Sequence, residues 1–480
     1  MGFGGINMEQ HHHRGSFGSS IGFLMAAIGS AVGLGNLWGF PYKMGANGGA
    51  AFLIVYLVLI VAVGFPVLMG EIAIGRKTGR SAVGAFRRMD GRFPLVGYMG
   101  VISGTVVVAY YSVLGGLCLR YCFGFLLEFL GLNGFSATGA AFFESFSRST
   151  GALIVCSGLF AGITGLILAG GVQKGIEKFS SVVMPLLFVM LVALVVYIAR
   201  QPGAAEGYRF VFSPDFTYLK ENFFSVVTTA AGQMFFSLSL AMGVMVAYGS
   251  YLSKEENIAR DAAVVCGADT LIAILAGSLV IPAAITFVGP DAHLSGMKLL
   301  FVTMHEVFYN IGGKFGLLLG FFFFLVVIIA AFTSSVSLLE VSISCIVDRR
   351  IDKHQEPRRR TVALMCTVLV FVMSLPVALD AVGLIEGRTP LALLRHLFAS
   401  LPAQTWNGSF LDLYDMLTAS CLMPLGALLT SLLIGWRYGT KTITDECGIR
   451  ENRLLTICYK VIVPIVMLVV LYGQIRSFFG

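Results

Sequence analysis

Charge is what this chain has least of. Asp, Glu, Lys and Arg make up 12% of its 480 residues, against about 25% in an average soluble domain. Charge that sparse leaves most of the chain with no water-facing surface. Its nine cysteines include no CxxC pair and no metal-ligand spacing, and several sit inside apolar runs. That excludes a disulfide framework and favours small apolar packing residues. No HExxH motif and no paired aspartates occur, so nothing points to a metalloprotease or an aspartic dyad, and the chain does not read as an enzyme. The tract His11, His12 and His13 has no further ligands nearby and reads as part of a flexible tail. The first apolar run is too long for a signal-peptide core and lacks a small-residue cleavage site.

What is there is hydrophobic. Apolar residues make up 57% of the chain, and the mean hydropathy is +0.85. Cutting at the charged residues leaves eleven long uncharged stretches: Gly15–Tyr42, Met44–Gly70, Phe93–Leu119, Ser149–Gln173, Phe179–Ala199, Asn222–Ser253, Thr270–Pro290, Phe315–Leu339, Thr361–Leu379, Met416–Trp436 and Val461–Ile475. Most reach the roughly 20 residues that a helix needs to cross a bilayer. The last does so if Leu454–Tyr459 joins it and Lys460 snorkels. None shows the period-2 alternation of barrel strands. The expected class is an all-α integral membrane protein with eleven transmembrane helices.

Lys and Arg crowd the loops after even-numbered spans, as in Arg76, Lys77, Arg80, Arg87 and Arg88, or Arg349, Arg350, Lys353 and Arg358–Arg360. Loops after odd spans carry acids instead, such as Glu128, Glu144, Asp291 and Glu306. The positive-inside rule places the N-terminus in the cytoplasm and, with eleven spans, the C-terminus outside. The expected location is the cell (inner) membrane. The net charge of +7 needs no nucleic acid to explain it.

Two runs are unlike the rest. The first, IGSAVGLGNLWGFP, carries Gly29, Gly33 and Gly35 near mid-span, with Pro41 beyond them. The sixth carries Gly232, Ser237, Ser239 and Gly243 near its middle. Glycine loosens a helix, and serine gives freed backbone a local partner. In lipid, unwound backbone is tolerated only where it is buried in protein or lines a cavity. Spans one and six hold matching places in two five-helix halves, the sequence pointer to a transporter built on an inverted repeat. Half-helix N-termini present free N–H groups that suit a carboxylate; exposed carbonyls suit sodium. The corresponding division is a tail over 1–14, repeats over 15–200 and 201–436, and a cytoplasmic loop with the eleventh helix over 437–480.

The segment Gly29–Gly49, GSAVGLGNLWGFPYKMGANGG, resembles the first-helix signature of the neurotransmitter:sodium symporter family. Similar matches follow in order: GEIAIGR at Gly70–Arg76, the pair Tyr110–Tyr111, KGIEKF at Lys174–Phe179, GQMFFSLSL at Gly232–Leu240 and TSS at Thr333–Ser335. The resemblance implies the LeuT-like fold of five plus five inverted-repeat helices, broken in helices 1 and 6. It also implies sodium-coupled symport of amino acids by alternating access.

It further implies a set of site residues. Sodium site one takes Ala31, Asn36 and Ser237, the substrate carboxylate and, from the seventh span, Asp269. Sodium site two takes the carbonyls of Gly29, Val32 and Ala330 with the hydroxyls of Thr333 and Ser334. The substrate's carboxylate goes to the amides of Leu34 and Gly35 and to the Tyr111 hydroxyl. Its ammonium goes to carbonyls near Ala31, Phe236 and Ser237, helped by Ser239. Val107, Tyr110, Phe236, Met242 and Leu338 shape the side-chain pocket, beside Ser334. Met242 stands where many relatives carry an aromatic, which points to large apolar or aromatic amino acids. A fixed carboxylate at Asp269 points to transport that needs no chloride, and no organic cofactor is implied.

Gates follow the same likeness. Arg14 and Asp348 match the cytoplasmic ion pair, with Phe17 in place of a tryptophan, and Tyr251 and Gln233 match gate-region positions. At the outer gate Gly39 replaces the family's arginine. Lys43, four residues on and so on the same helix face, is expected to reach Asp415 directly or through water. Two further readings stay open: a proton-coupled transporter of the same architecture with Asp269 as its proton site, and a membrane substrate sensor.

Overall fold

The computed structural model describes residues 16–289, 296–384 and 409–479, which are helical and contain no strand. Arg14 and the histidine tract lie outside the described residues. In chain order the helices are α1 (Ser20–Ala31), α2 (Gly35–Ala46), α3 (Ala50–Thr78), α4 (Ala82–Met89), α5 (Pro94–Phe129), α6 (Gly139–Arg148), α7 (Thr150–Ala169) and α8 (Val172–Ala199). Then come α9 (Ala204–Phe212), α10 (Phe216–Glu221), α11 (Phe223–Ser237), α12 (Val244–Gly249), α13 (Ile258–Phe287), α14 (Met304–Ile311) and α15 (Gly313–Asp352). The chain ends with α16 (Arg359–Leu379), α17 (Phe410–Tyr438), α18 (Lys441–Cys447) and α19 (Arg453–Gln474).

Nine of these are long and apolar enough to cross a membrane. The pair α1 and α2, bent by 43° at its break, makes a tenth. Helices α11 and α12 occupy the sixth apolar run, each too short to span alone, so the arrangement agrees with eleven crossings. Apolar side chains face outward along the spans; Val61 is 72% and Leu166 75% exposed. Water would not tolerate such a belt over a whole molecule, and lipid requires it. The nine cysteines are all free, and each is buried or half-buried.

The scaffold is built on α5 and α15, which pack on each other over much of their length and then against α7 and α16. Helix α5 is the most enclosed of the long spans. Between α3 and α12 the backbones approach so closely that a methyl at Gly75 would overlap the Val246 carbonyl, and one at Gly249 the Ile72 carbonyl. Small residues at helix crossings are the usual means of packing in lipid, where no hydrophobic force draws helices together. Helices α1 and α12 pack on α15, α13 packs on α1 and α2, and α11 packs on α2, and the residues of both breaks are buried. Both chain breaks therefore lie inside the protein, the one setting in which lipid permits them.

Candidate functional site

The first break covers Val32 to Leu34. Helix α1 ends at Ala31, and Val32 is extended (φ −81°, ψ 104°). The Asn36 side chain closes the gap from the far side: its Oδ1 accepts from the Gly33 amide at 3.0 Å. In the first turn of α2 the amides of Asn36 and Leu37 bond the Gly33 carbonyl at 3.1 and 3.3 Å, and the ring of Tyr111 packs beside Gly35 and against Phe236, at 6.0 Å between centroids.

The second break covers Leu238 to Gly243. Here Ser239 (φ 52°), Ala241 (φ 60°) and Gly243 (φ 75°) all adopt positive φ. The freed Ala241 amide donates to Glu71 Oε1 of α3 at 2.7 Å. The second break touches the end of α1: Ser239 Oγ donates to the Ser30 carbonyl at 3.0 Å.

A narrow cavity of about 10 Å³ lies between them. Of the residues expected to hold a substrate, Ala31, Gly35, Val107, Tyr111, Phe236 and Ser237 line it. So do Ser239, Met242, Ser334 and Leu338. Ser30 and Gly33, which were not anticipated, line it as well. Two expected residues stand elsewhere. Leu34 is buried without lining the cavity. Tyr110 lies next to the cavity, but its hydroxyl reaches toward Asp415 Oδ1 at 3.4 Å because that carboxylate is the acceptor on its side of α5.

Asp269 is fully buried in α13, well inside the span rather than at its edge. Its carboxylate accepts from Asn36 Nδ2 at 2.8 Å and Ser237 Oγ at 2.6 Å, and from Tyr56 OH at 3.0 Å. Asn36 belongs to the first break and Ser237 ends the helix before the second. One carboxylate thus ties both broken spans to α13 and α3. Tyr56 was not anticipated; a lone tyrosine in an otherwise apolar run gives no sign of its partner. Among the described residues no group of three or more His, Cys, Asp or Glu side chains could hold a metal ion. The oxygens gathered here, carbonyls and hydroxyls with a single acid, form a hard, weak-field set suited to an alkali cation.

The residues assigned to the second sodium also meet. Thr333 Oγ1 lies 3.0 Å from the Ala330 carbonyl and 3.4 Å from that of Val32. Ser334 Oγ lies 3.5 Å from the Val32 carbonyl and 3.3 Å from that of Ser30. At Gly29 the backbones are close: a Cβ there would be 3.2 Å from Thr333 Cβ.

On the basic side, Phe17 packs edge-on against Tyr248 and Tyr251, at 5.5 and 6.2 Å between centroids. Tyr251 OH donates to Glu340 Oε1 at 2.8 Å, and Glu340 pairs with Arg359 at 2.5 Å. Asp348 accepts from both the amide and the hydroxyl of Ser81, each at 2.8 Å. On the opposite side Lys43 does not pair with Asp415 directly. The Lys43 ammonium donates to Gln233 Oε1 at 2.9 Å rather than to Asp415. Gln233 Nε2 in turn donates to the Gly35 carbonyl at 2.7 Å. Gln233 thus links Lys43 to the start of α2.

The sequence matches the model of the sodium:neurotransmitter symporter family over residues 14–133 and 143–385. An uncharacterized sodium-dependent transporter of Bacillus subtilis, YhdH, is 33% identical over 466 residues, covering 95% of this chain and 97% of the relative. The human sodium- and chloride-dependent GABA transporter 2 is 26% identical, covering 94% of this chain and 78% of the relative. The solved structure of MhsT in complex with L-phenylalanine superposes with a TM-score of 0.83 at 34% identity, covering 96% of this chain and all of that one. With two broken spans around one cavity and these relatives along nearly its whole length, the chain belongs to the sodium:neurotransmitter symporter family and is a multi-pass, sodium-dependent transporter of small molecules.

Proposed function

We propose that this transporter carries amino acids with large apolar or aromatic side chains, moving them inward with sodium by alternating access and without chloride. The observation that carries the reading is the cavity between the breaks. One end offers the leading amides of α2 and the Tyr111 hydroxyl, the chemistry that receives a carboxylate. The other is walled by Val107, Phe236, Met242 and Leu338, which receive an apolar side chain. The similar structure was solved with L-phenylalanine, which fits a substrate of this class. Met242, flexible and polarisable, adapts to bulky rings.

The first sodium would take the Ala31 carbonyl, Asn36, Ser237, Asp269 and the substrate carboxylate. The second would take Gly29, Val32, Ala330, Thr333 and Ser334. A substrate that completes an ion's coordination raises that ion's affinity and is itself bound more tightly in return, which is the coupling. Asp269 supplies the negative charge that chloride would otherwise bring. Orientation follows from the basic loops, with the N-terminus in the cytoplasm.

Counterflow of labelled amino acids in proteoliposomes tests this. Phenylalanine, tryptophan and leucine should exchange in sodium with or without chloride. Exchange that persists when potassium replaces sodium, or that follows a proton gradient alone, overturns the sodium reading in favour of proton coupling. Met242→Phe should shrink the ratio of tryptophan to alanine uptake; an unchanged ratio overturns the size assignment.

A further inference from the structure

A second cavity, of about 560 Å³, opens on the basic side between α4, α5, α15 and α16. It shares no residue with the site between the breaks. Its deep end is closed by Thr105 and Ser342, whose hydroxyls meet at 2.7 Å. Its walls are apolar and face outward: Tyr98 is 42%, Ile346 41% and Leu369 52% exposed. These walls belong to spans whose other outward side chains, Ile102 and Val368 among them, are also apolar and exposed.

At the mouth stand three exposed cations, Arg87 at the end of α4 with Arg349 and Lys353 at the end of α15. Arg349 and Lys353 are four residues apart and share a helix face. Among the described residues none of the three has an ion pair or hydrogen bond. The two acids at the mouth are already engaged: Asp352 pairs with Arg80 at 2.6 Å, and Asp348 accepts from Ser81. Positive charge therefore exceeds negative at the rim of a slot whose interior suits hydrocarbon.

We propose that this cavity is a binding site for an anionic phospholipid of the adjacent leaflet, with its phosphate between Arg87, Arg349 and Lys353 and an acyl chain along Tyr98, Ile346 and Leu369. The charge complementarity favours an acidic over a zwitterionic lipid, because each basic side chain near the membrane surface strengthens the attraction to negative headgroups roughly fivefold. The inference needs only that the chain spans a membrane, so it stands or falls independently of the substrate reading.

The test is native mass spectrometry of the delipidated full chain titrated with phosphatidylglycerol and with phosphatidylcholine of the same acyl chains. Phosphatidylglycerol should be retained more strongly, and R87Q/R349Q/K353Q should lower that preference by about a hundredfold. R358Q, removing an exposed arginine outside the cavity that pairs with Glu356, should leave it unchanged. Equal retention of the two lipids, an unaltered preference in the triple variant, or an equal loss in R358Q overturns the proposal. Displacement of the lipid by millimolar glycerol 3-phosphate would reassign the cations to a soluble phosphate and overturn it too.

Discussion

The two breaks do the same job by opposite means. The first is closed from within: Gly33 sits where the chain turns, and Asn36, three residues on, binds its amide. Its non-glycine residues keep negative φ, as at Val32 and Leu34. The second is held open against its own preference. Ser239 and Ala241 are non-glycine residues at positive φ, a conformation that costs about 1–2 kcal/mol each, and the freed Ala241 amide is anchored by Glu71 from another helix. One break is encoded locally and the other imposed by its surroundings. The first should therefore respond mainly to changes in its own residues and the second to changes in its supports.

The sharpest way to erase this contrast is at Asp269, which both breaks share. Asp269→Ala strips Asn36, Ser237 and Tyr56 of a common acceptor in a fully buried site. Leaving three buried donors unpaired costs about 1–3 kcal/mol each, so sodium-driven uptake should fall by more than about a hundredfold. Near-normal uptake by this variant would mean that the breaks do not depend on a shared anchor.

Gly33→Ala probes the first break alone. A methyl there would overlap Ser334 Oγ and push that hydroxyl away from the Val32 and Ser30 carbonyls. The expected result is a fall of about tenfold or more in sodium affinity, comparable to the loss of one buried polar contact of roughly 1–3 kcal/mol. Sodium titration of substrate binding reads it directly.

Much of this contrast was legible in the sequence, and the exceptions follow the same division. Gly33, Gly35 and Asn36 announce the first break because the residues that cause it lie within it. Ser237 and Ser239 marked the second, and Ala241, standing where similar transporters usually carry a glycine, marked it only through the resemblance, since alanine itself offers no reason for positive φ. The support comes from Glu71, some 170 residues away, and nothing local links the two. Tyr56 and the Lys43–Gln233 contact were hidden for the same reason: each is a pairing across helices, set by packing rather than by spacing. The spans were readable because lipid imposes a rule on every stretch of about 20 residues. Side-chain partners inside the bundle obey no comparable rule.

Glu71→Ala turns that distance into a measurement. It leaves the Ala241 amide buried and unpaired, at a cost of about 1–3 kcal/mol, and should weaken substrate binding about tenfold. The proposed second sodium site, whose residues lie on α1, its break and α15, should be little changed, so the sodium dependence should keep its midpoint when substrate is saturating. Glu71→Gln, which still offers an oxygen to the amide, should recover most of the loss. A variant that lost sodium and substrate affinity equally would show that Glu71 supports the whole bundle rather than the second break.

The smallest effect, and the most discriminating, is expected at Ala241 itself. Glycine adopts positive φ without steric cost, so Ala241→Gly removes the strain of a methyl at φ 60°. It also frees the unfolded chain, which offsets roughly 0.4–1 kcal/mol of that gain. The balance favours the folded state by about 1 kcal/mol or less, a rise of about 1–2 °C in Tm for a protein of this size. The Ala241 methyl also faces Gly426 of α17, 3.3 Å from where a Cβ would stand; its removal widens the break there and should ease entry of bulkier substrates. The same substitution made where φ is already negative, as in Ala31→Gly at the end of α1, should instead lower Tm by a similar amount. Opposite signs for these two variants would establish that the second break is strained and the first is not; equal signs would remove the distinction between them.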